Sequence, residues 1–327
     1  MKRRQFIAGL GSAAAWPLAV RAQQAAMPVV AFIGPLSEEA SVRYVAAFRA
    51  GLGEVGYAEG RNVVISYHWL NGNYDHIASI MADLVRRRVA VIASPGGGSQ
   101  IARAAKAATT SIPIIFGVGE NPVSAGLVAS IARPGGNATG MNFFMTEAVT
   151  KRLGLLRQMI PKGKHVAVLT DPLVEQSQRE ISAVQDAVRD SGVPIRIFHA
   201  NSSREIEEAF AMMNGQGTEV LFILGNSFFG SQRLQLATLA TRYRIASSYP
   251  TREFAEAGGL MSYGPNLADT YRQGDVYAGR MLRGDKPEDL PVVQSTKFDF
   301  VINLKTAKAL GLTIPETLLA TADEVIQ

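Results

Sequence analysis

The chain has 327 residues, of which 47% are hydrophobic and 19% are charged, so it is long enough for two domains and too apolar for an extended disordered protein. It contains no cysteine, which excludes a disulfide scaffold, a thiolate metal site, a thiol nucleophile and a lipid-modified amino-terminal cysteine. The net charge is only +5, and no apolar run reaches the length of about 18 residues that a membrane-spanning helix needs.

The first 22 residues have the pattern of an export signal. Lys2, Arg3 and Arg4 precede a weakly apolar stretch (residues 6–20), and Val-Arg-Ala at residues 20–22 has the small-x-small form of a cleavage site. The paired arginines resemble those of the twin-arginine signal, so we expect that route and a periplasmic location. A plain first helix is the alternative, although adjacent arginines seldom open a helix core. The segment holds four of the 33 basic residues and none of the 28 acidic ones, so its removal leaves a nearly neutral chain with no reason to bind nucleic acid.

Strand-like and helix-like segments alternate along the rest of the chain. Apolar runs rich in β-branched residues begin at Val29, Val63, Val89, Ile112, Val166, Ile195, Val220 and Ile245. Amphipathic helical segments lie between them, for example at residues 42–55, 77–87, 178–191 and 205–213. Because the apolar runs are continuous rather than alternating, they predict strands that are buried on both faces. We therefore predict an α/β protein with two doubly wound parallel-sheet lobes.

Two glycine-rich stretches, residues 133–140 and 258–265, predict crossings between these lobes. After the second crossing we expect a helix at residues 269–282, a proline-rich return at 286–292, a last strand at 298–302 and a short helix at 304–310. The predicted boundaries are residues 1–22 for the signal peptide, 28–141 plus 263–296 for lobe 1, and 142–262 plus 297–327 for lobe 2. Such an architecture is typical of receptors that close a cleft around a solute.

Four sequence blocks carry a family resemblance over essentially the whole chain. They are IPIIFGVGENPVSAGLVASIARPGGNATG (112–140), SYGPNLADTYRQ (262–273), GDKPEDLPV (284–292) and NLKTAKALGLTIP (303–315). In order and spacing they resemble the periplasmic substrate-binding proteins of ABC importers, in the subgroup related to tryptophan and tyrosine receptors. The resemblance implies a type I periplasmic binding-protein fold with a multi-crossing hinge, a ligand between the lobes, and delivery to a membrane permease with its ATPase.

In open α/β sheets ligands bind beyond the carboxyl ends of the strands, so the loops after the strands supply the candidate site. Ser41 follows the first strand, one turn into a helix whose predicted cap is Ser37. The loop after the third strand contains Ser94, Gly96 and Gly97 ahead of a helix. Its backbone N–H groups fit a carboxylate, whereas a tight turn with positive φ is the structural alternative. The loop matches neither the P-loop motif nor the dinucleotide-binding motif GxGxxG, so it does not indicate nucleotide binding.

The loops after two further strands, together with the first crossing, add candidates that include several amides. Glu120 and Asn121 follow the fourth strand, Asn142 lies in the first crossing, and Asn226 and Ser227 follow the strand that begins at Val220. Receptors of the resembled subgroup usually carry an aspartate in place of Asn121 and often an acid near Asn226. If those acids hold a ligand ammonium, the amides here weaken an amino-acid assignment unless Glu120 or Asp171 substitutes. A turn at Asn121 and a helix cap at Asn226 are the alternatives.

Aromatic side chains at the crossings and loop mouths offer flat surfaces for an apolar or aromatic ligand. They are Trp69, Phe143, Phe144, Phe228, Phe229 and Tyr263. We expect two or three of them to line the cleft, above all Phe228 and Tyr263.

No enzyme motif and no metal-ligand spacing is visible, so we expect no catalysis, no cofactor and no metal. The sequence therefore indicates a monomeric periplasmic receptor for a small carboxylate-bearing ligand, aromatic or of the amino-acid class, that serves an ABC permease and is not embedded in the membrane. A ligand-sensing module of a membrane signalling system is the alternative, and an exported α/β enzyme is a further one.

Overall fold

The computed structural model of the protein describes residues 27–161, 165–174, 176–189 and 193–327, so the predicted export signal lies outside the described residues. The amino-terminal half comprises β1 (Val29–Gly34), α1 (Glu38–Glu54), β2 (Val64–Trp69), α2 (Ile77–Arg86), β3 (Val91–Ser94), α3 (Gly98–Ala108), β4 (Ile114–Val118), β5 (Ala138–Asn142) and α4 (Met145–Met159). The carboxy-terminal half comprises β6 (Val166–Thr170), α5 (Gln176–Arg189), β7 (Ile195–His199), α6 (Ser203–Gly215), β8 (Val220–Ile223), α7 (Ser227–Ser231), α8 (Arg233–Arg242), β9 (Ala246–Tyr249), α9 (Arg252–Glu256), β10 (Met261–Pro265), α10 (Leu267–Leu282), β11 (Val293–Gln294), β12 (Phe298–Asn303), α11 (Leu304–Ala309), α12 (Glu316–Thr321) and β13 (Glu324–Ile326). A short 3₁₀ helix, Pro287–Asp289, precedes β11.

The described strands form two sheets. The strand order is β11-β5-β4-β3-β1-β2 in the first sheet and β13-β12-β10-β9-β8-β6-β7 in the second. The described pairs are parallel with one exception, since β10 pairs with β12 in antiparallel fashion. The predicted parallel sheets therefore contain one antiparallel pair. Strand β10 runs toward the hinge and β12 returns from it, so the two neighbours must point in opposite directions.

The strands are buried on both faces, as their continuous apolar runs predict. In β1, Val30 and Phe32 belong to one core cluster while Ala31 and Ile33 belong to another. The alternation arises because successive side chains of a strand point to opposite faces of the sheet. Helices α1 and α10 cover one face of the first sheet, and α2 and α3 cover the other. Each sheet is therefore the centre of a three-layer lobe.

The chain crosses between the lobes at residues 143–144, 266 and 295–297. Strand β5 keeps its ladder to Asn142 in the first sheet, and β10 continues to Pro265 in the second. Asn142 therefore lies in the first lobe, and residues 263–265 lie in the second. These positions differ by one to three residues from the predicted boundaries, because both strands extend right up to the hinge.

Candidate functional site

A cleft lies between the lobes at the carboxyl ends of the strands. The loops after β1, β3, β4, β8 and β9 all contribute to it, through Pro35, Gly96, Gly119, Asn226 and Thr251 respectively. This is the place where open α/β sheets bind ligands, because the helices that follow the strands diverge there and leave a crevice. Both lobes thus face the same space.

One part of the cleft, here called the apolar chamber, has an empty volume of about 880 Å³ including the part open to solvent. Its apolar wall is formed by Pro35, Leu36, Tyr44, Phe143, Met145, Pro250, Phe254, Leu267 and Tyr271, and its polar groups come from Gln176, Asn226, Ser227, Arg233, Thr251 and Glu253. The other part, here called the polar chamber, measures about 1650 Å³ on the same basis. Its lining includes Asn73, Tyr74, Asp75, Ser99, Gln100, Arg103, Asp171, Leu173, Asn201 and Phe228. The two chambers share Gln176, Asn226 and Ser227, so the cleft is continuous.

Two tyrosines form one wall of the apolar chamber. Tyr44 on α1 and Tyr271 on α10 stack with their ring centroids 4.7 Å apart and an interplanar angle of 15°. The two helices come this close because α1 carries Gly51 at the contact, where a Cβ would overlap the backbone of α10. Burial raises the pKa of both tyrosines, so their hydroxyls stay neutral. The wall offers a flat apolar surface with hydrogen-bonding groups at its edge.

The described lining of the apolar chamber contains one acid and one base, both from the second lobe. Glu253 on α9 has its Oε2 fully buried without a hydrogen-bond partner. Arg233 opens α8 and donates from Nη1 to the carbonyl of Gly230 at 3.0 Å. Burial, and after it the nearby charge of Glu253, raises the pKa of Tyr44, so this carboxylate lies close to the tyrosine wall. The chamber therefore presents opposite charges beside an aromatic surface.

The glycine-rich loop after β3 lies in the cleft, and its three glycines have different structural roles. Gly96 lines the apolar chamber, and a Cβ there would overlap the hydroxyl of Tyr271. Gly97 lines the polar chamber, and a Cβ there would overlap Oγ of Ser94. The left-handed backbone falls on Gly98, at φ 75°, whereas Gly97 has an ordinary φ of −83°. The loop therefore needs glycine for close packing at two positions and for its conformation at a third.

The two predicted serines do not line the cleft. Ser94 is buried and donates its hydroxyl to the carbonyl of Ile33 at 2.8 Å, so it joins β3 to β1. Ser41 is buried within the first lobe, and its neighbours Ala40 and Tyr44 line the chamber instead. The difference follows from the helical period of 3.6 residues, which sets Ser41 off the face that Ala40 and Tyr44 share.

Three predicted residues after β8 do line the cleft. Asn226 caps α7 by accepting the N–H of Phe229 at 2.6 Å, and it lines both chambers. The cap occupies its Oδ1, which leaves the amide nitrogen free to donate, so capping and ligand contact are compatible. Ser227 faces Tyr74 of the first lobe, and Phe228 lines the polar chamber.

Glu120 and Asn121 are engaged elsewhere. Glu120 is buried and forms an ion pair with Arg179 on α5, which joins the loop after β4 to the second lobe. Asn121 is exposed and accepts the N–H groups of Val123 and Ser124 at 2.9 and 3.3 Å. It is the turn former that its place before a proline allows. The structure brings neither residue into the cleft lining.

Asn142 and Tyr263 also lie outside the cleft lining. Asn142 is buried at the first crossing, where its Oδ1 accepts the N–H of Phe144 at 3.1 Å. That bond supports Phe144 in a left-handed conformation (φ 54°), which is costly for a bulky residue. Tyr263 stacks on Phe298 at 5.8 Å because strand alternation turns it toward the same core as Met261.

Of the six aromatic residues singled out in the sequence, two line the cleft. Phe143 belongs to the apolar chamber and Phe228 to the polar chamber. Phe229 is buried in the core of the second lobe. Trp69 stacks on Tyr67 at 5.7 Å within the first lobe. The cleft lining thus includes Phe143 and Phe228, whereas Tyr263 lies outside it.

A buried polar network, which the sequence did not reveal, contacts two residues that line the apolar chamber, Gln176 and Gly225. Glu180 on α5 accepts hydrogen bonds from the amide of Gln176 and from the N–H of Gly225 at 3.4 Å. Arg152 on α4 lies over the ring of Phe222 at 4.0 Å and offsets the charge of Glu180. Burial raises the pKa of Glu180 and lowers that of Arg152. The network holds Gln176 and Gly225 at the chamber surface.

The polar chamber combines an acid with the amino-terminal end of α3. Asp171 follows β6, is almost fully buried, and accepts the N–H of Leu173 at 2.9 Å. Burial raises its pKa. Ser99 and Gln100, in the first turn of α3, lie opposite. This chamber therefore suits polar parts of a ligand.

Within the described ranges, no group of three or more histidine, aspartate or glutamate side chains is arranged to hold a metal ion. None of the helices described combines the length and the hydrophobicity that a membrane span requires.

The most informative residues that the sequence did not single out are Tyr44, Arg233, Glu253 and Tyr271. Glu253 follows β9, so the rule that sites lie beyond strand ends could have found it. The two tyrosines lie within helices, and no local signal distinguishes them from ordinary core residues.

Comparison with known proteins gives a consistent result. A family model described as "ABC transporter substrate binding protein" matches residues 29–326. A relative named tyrosine-binding protein, from Clostridioides difficile, is 26% identical over 266 residues, which cover 81% of this chain and 75% of the relative. The matched family consists of binding proteins rather than enzymes.

Solved structures show the same fold. A conserved domain protein from Vibrio cholerae has a TM-score of 0.83 at 24% identity, covering 91% of this chain and 99% of that one. A domain from Streptococcus pneumoniae, solved in complex with L-Trp, has a TM-score of 0.82 at 22% identity, covering 92% of this chain and 100% of that one. The prediction of a type I periplasmic binding-protein fold with two α/β lobes is confirmed.

Proposed function

Because this chain belongs to the ABC transporter substrate-binding protein family, we propose that it is the periplasmic solute receptor of an ABC importer. Its ligand is a small carboxylate-bearing molecule, an amino acid with an aromatic or apolar side chain, held in the cleft between the lobes. The receptor acts as a monomer and presents the ligand to a membrane permease and its ATPase.

The apolar chamber is the observation that carries this proposal. Its stacked pair, Tyr44 and Tyr271, offers a flat surface for an apolar side chain, and its two charged groups, Glu253 and Arg233, complement a zwitterion. A sugar site would need a dense set of hydrogen-bonding groups, whereas most of this wall is apolar. The balance favours an amphiphilic ligand with one charged end.

The relatives support the same ligand class. One is named a tyrosine-binding protein, and another was solved in complex with L-Trp. Both ligands combine an ammonium, a carboxylate and an aromatic side chain, and this is the combination that the apolar chamber complements.

Closure of the two lobes around the ligand is the proposed mechanism. Two ion pairs join the lobes beside the cleft: Arg43 with Glu256 at 3.1 Å, and Glu120 with Arg179. A ligand shifts the balance between open and closed receptors only through its different affinity for the two states. Because the chamber wall comes from both lobes, full ligand contact exists only when they meet.

Titration calorimetry on the processed chain tests the ligand class. L-tyrosine, L-tryptophan, L-phenylalanine and L-leucine are the probes, and glucose is the control. Binding of at least one amino acid is expected. At a free ligand concentration of about 100 times Kd, the bound ligand should raise the free energy of unfolding by about 2.7 kcal/mol. If glucose binds and none of the amino acids does, the proposed ligand class is wrong.

Uptake of the bound amino acid separates transport from sensing. Cells that lack this chain are expected to lose high-affinity uptake and to recover it when the chain is supplied again. If uptake is unchanged while a transcriptional response to the amino acid disappears, the chain serves a signalling system instead of an importer.

The export route is tested by replacing both Arg3 and Arg4 with lysine. This change preserves the charge but removes the guanidinium pair of a twin-arginine signal. The full-length variant is expected to remain in the cytoplasm. If it still reaches the periplasm through the general secretion machinery alone, the route is wrong while the periplasmic location stands.

A further inference from the structure

Glu253 differs from the other acids that surround the cleft. Its Oε2 is fully buried and makes no hydrogen bond with the described residues. By contrast, Glu120 pairs with Arg179, Asp171 accepts a backbone N–H, and the oxygens of Glu180 accept two hydrogen bonds. Among the described acids that line the cleft, Glu253 is therefore the one with a carboxylate oxygen that is both fully buried and without a hydrogen-bond partner.

An unpartnered, buried carboxylate oxygen is unfavourable, since it loses its hydration and gains nothing in return. The arginines around it have other partners. Arg233, which lines the same chamber, donates to the carbonyl of Gly230. Arg252 is shared among Glu256, Asp299 and Glu324, and Arg43 also pairs with Glu256. These two cations are thus already paired with other acids.

The groups around Glu253 suit a cationic nitrogen. Burial first, and then the charge of Glu253, raises the pKa of both Tyr44 and Tyr271, so the carboxylate lies close to both rings. Their neutral hydroxyls have oxygen lone pairs that accept hydrogen bonds from an ammonium, and their rings attract a cation through their faces. The amides Asn121 and Asn226 carry no charge, and Asn121 lies outside the cleft lining, so neither replaces the acid.

We propose that Glu253 is the specificity-determining residue that binds the ammonium of the ligand, with the Tyr44 hydroxyl as its partner across the cleft. This inference rests on the proposed function, because it assigns one end of the ligand in the same chamber. It makes the receptor selective for amines over otherwise identical carboxylic acids. It also links recognition to closure, since Glu253 comes from the second lobe and Tyr44 from the first.

The ligand-side test uses the unaltered processed chain and requires no variant. Calorimetry compares L-tyrosine with desaminotyrosine, and L-tryptophan with indolepropionate, so that only the amino group changes. Each amino acid that binds is expected to bind about ten- to hundred-fold more tightly than its deamino partner, the range typical of a charge-assisted hydrogen bond. Equal affinity within a pair overturns the assignment of Glu253 while the receptor function stands. Absence of binding by every probe overturns the amino-acid proposal and this inference together.

The protein-side test uses Glu253→Gln, which keeps the size of the side chain and removes its charge. The variant is expected to lose about ten- to hundred-fold in affinity for the amino acid and to leave the affinity for its deamino partner unchanged. Glu316→Gln, which removes an exposed acid on α12, is the control and is expected to keep the preference for the amine. Asp171→Asn removes the acid of the polar chamber and tests whether the ammonium binds there instead. If Asp171→Asn abolishes that preference and Glu253→Gln does not, the ammonium binds in the polar chamber and the inference is wrong.

Discussion

Asp275 provides a sharp test of how the first lobe is held together. It lies in the middle of α10, fully buried against α1, and neither of its carboxylate oxygens has a hydrogen-bond partner. Burial raises its pKa well above the ordinary value of 3.8, so the carboxyl group is held as a neutral acid over a wider pH range. We expect Asp275→Ala to stabilise the protein.

The expected magnitude is the sum of three effects. A buried polar group without a partner costs about 1 to 3 kcal/mol, and the substitution removes that cost. Alanine is also a better helix former than aspartate by up to about 0.7 kcal/mol. Loss of three heavy atoms leaves a small cavity, which costs about 0.6 kcal/mol at roughly 24 cal/mol per Å³. The free energy of unfolding should therefore rise by about 1 to 3 kcal/mol.

The gain should depend on pH. Because the folded pKa of Asp275 is raised above the unfolded one, the folded state binds more protons between the two values. The stability that the neutral acid confers is fully present below the ordinary pKa and is lost as pH rises through the folded pKa. Asp275→Ala removes this loss. The increase in the free energy of unfolding relative to the parent protein is therefore smallest at acid pH and grows toward neutral pH.

Urea unfolding of the processed chain at a series of pH values measures both quantities. Asp275→Asn is the matched control, because it cannot ionise but still buries polar atoms without partners. It should flatten the pH dependence without the full gain in stability. If Asp275→Ala lowers the free energy of unfolding by 1 kcal/mol or more at neutral pH, the carboxyl group has a stabilising partner and the reasoning fails.

Three further predictions concern the cleft. Tyr271→Ala should weaken amino-acid binding by about 1 to 3 kcal/mol in calorimetry. Tyr263→Ala is the control and should leave the affinity unchanged, and the reverse result would contradict the placement of the tyrosine wall. Gly97→Ala should lower the free energy of unfolding by about 1 to 3 kcal/mol in thermal unfolding, because its Cβ overlaps Oγ of Ser94. Combining it with Ser94→Ala should restore part of the loss, and no recovery would mean that the overlap is not the cause. Glu180→Ala should cost about 3 to 5 kcal/mol in urea unfolding, because it removes the charge that offsets the buried Arg152 and the acceptor for Gln176 and Gly225. A cost below about 1 kcal/mol would contradict the proposed network.

Most of the fold was predictable from the sequence. The predicted strand starts at Val29, Val166, Ile195 and Val220 are also the observed ones, because continuous apolar runs bounded by turn residues leave little ambiguity. Strand β5 was predicted mainly as a linker. Its sequence, Ala-Thr-Gly-Met-Asn, has low strand propensity and becomes a strand only because β4 and β11 pair with it.

The candidate site was predictable only in part. The strand-end rule led to Gly96, Gly97, Asn226, Ser227 and Phe228, which line the cleft, because the fold itself determines where parallel strands end. The same rule also suggested Ser94, Glu120 and Asn121, among others. These residues instead bond to neighbouring loops and helices, and such bonds depend on side-chain directions that a loop sequence does not specify.

The sequence by itself determined the two-lobe architecture, the family and the set of loops that face the cleft. These follow from local hydrophobic patterns and from the four sequence blocks whose order and spacing resemble the family. Only the tertiary structure decided which acid faces the ligand space and which tyrosines form its wall. Glu253 and Tyr271 are brought to the same chamber by chain crossings and by the close packing of α1 on α10. Contacts between residues far apart in the chain leave no periodic pattern in either segment, so only the assembled lobes bring them together.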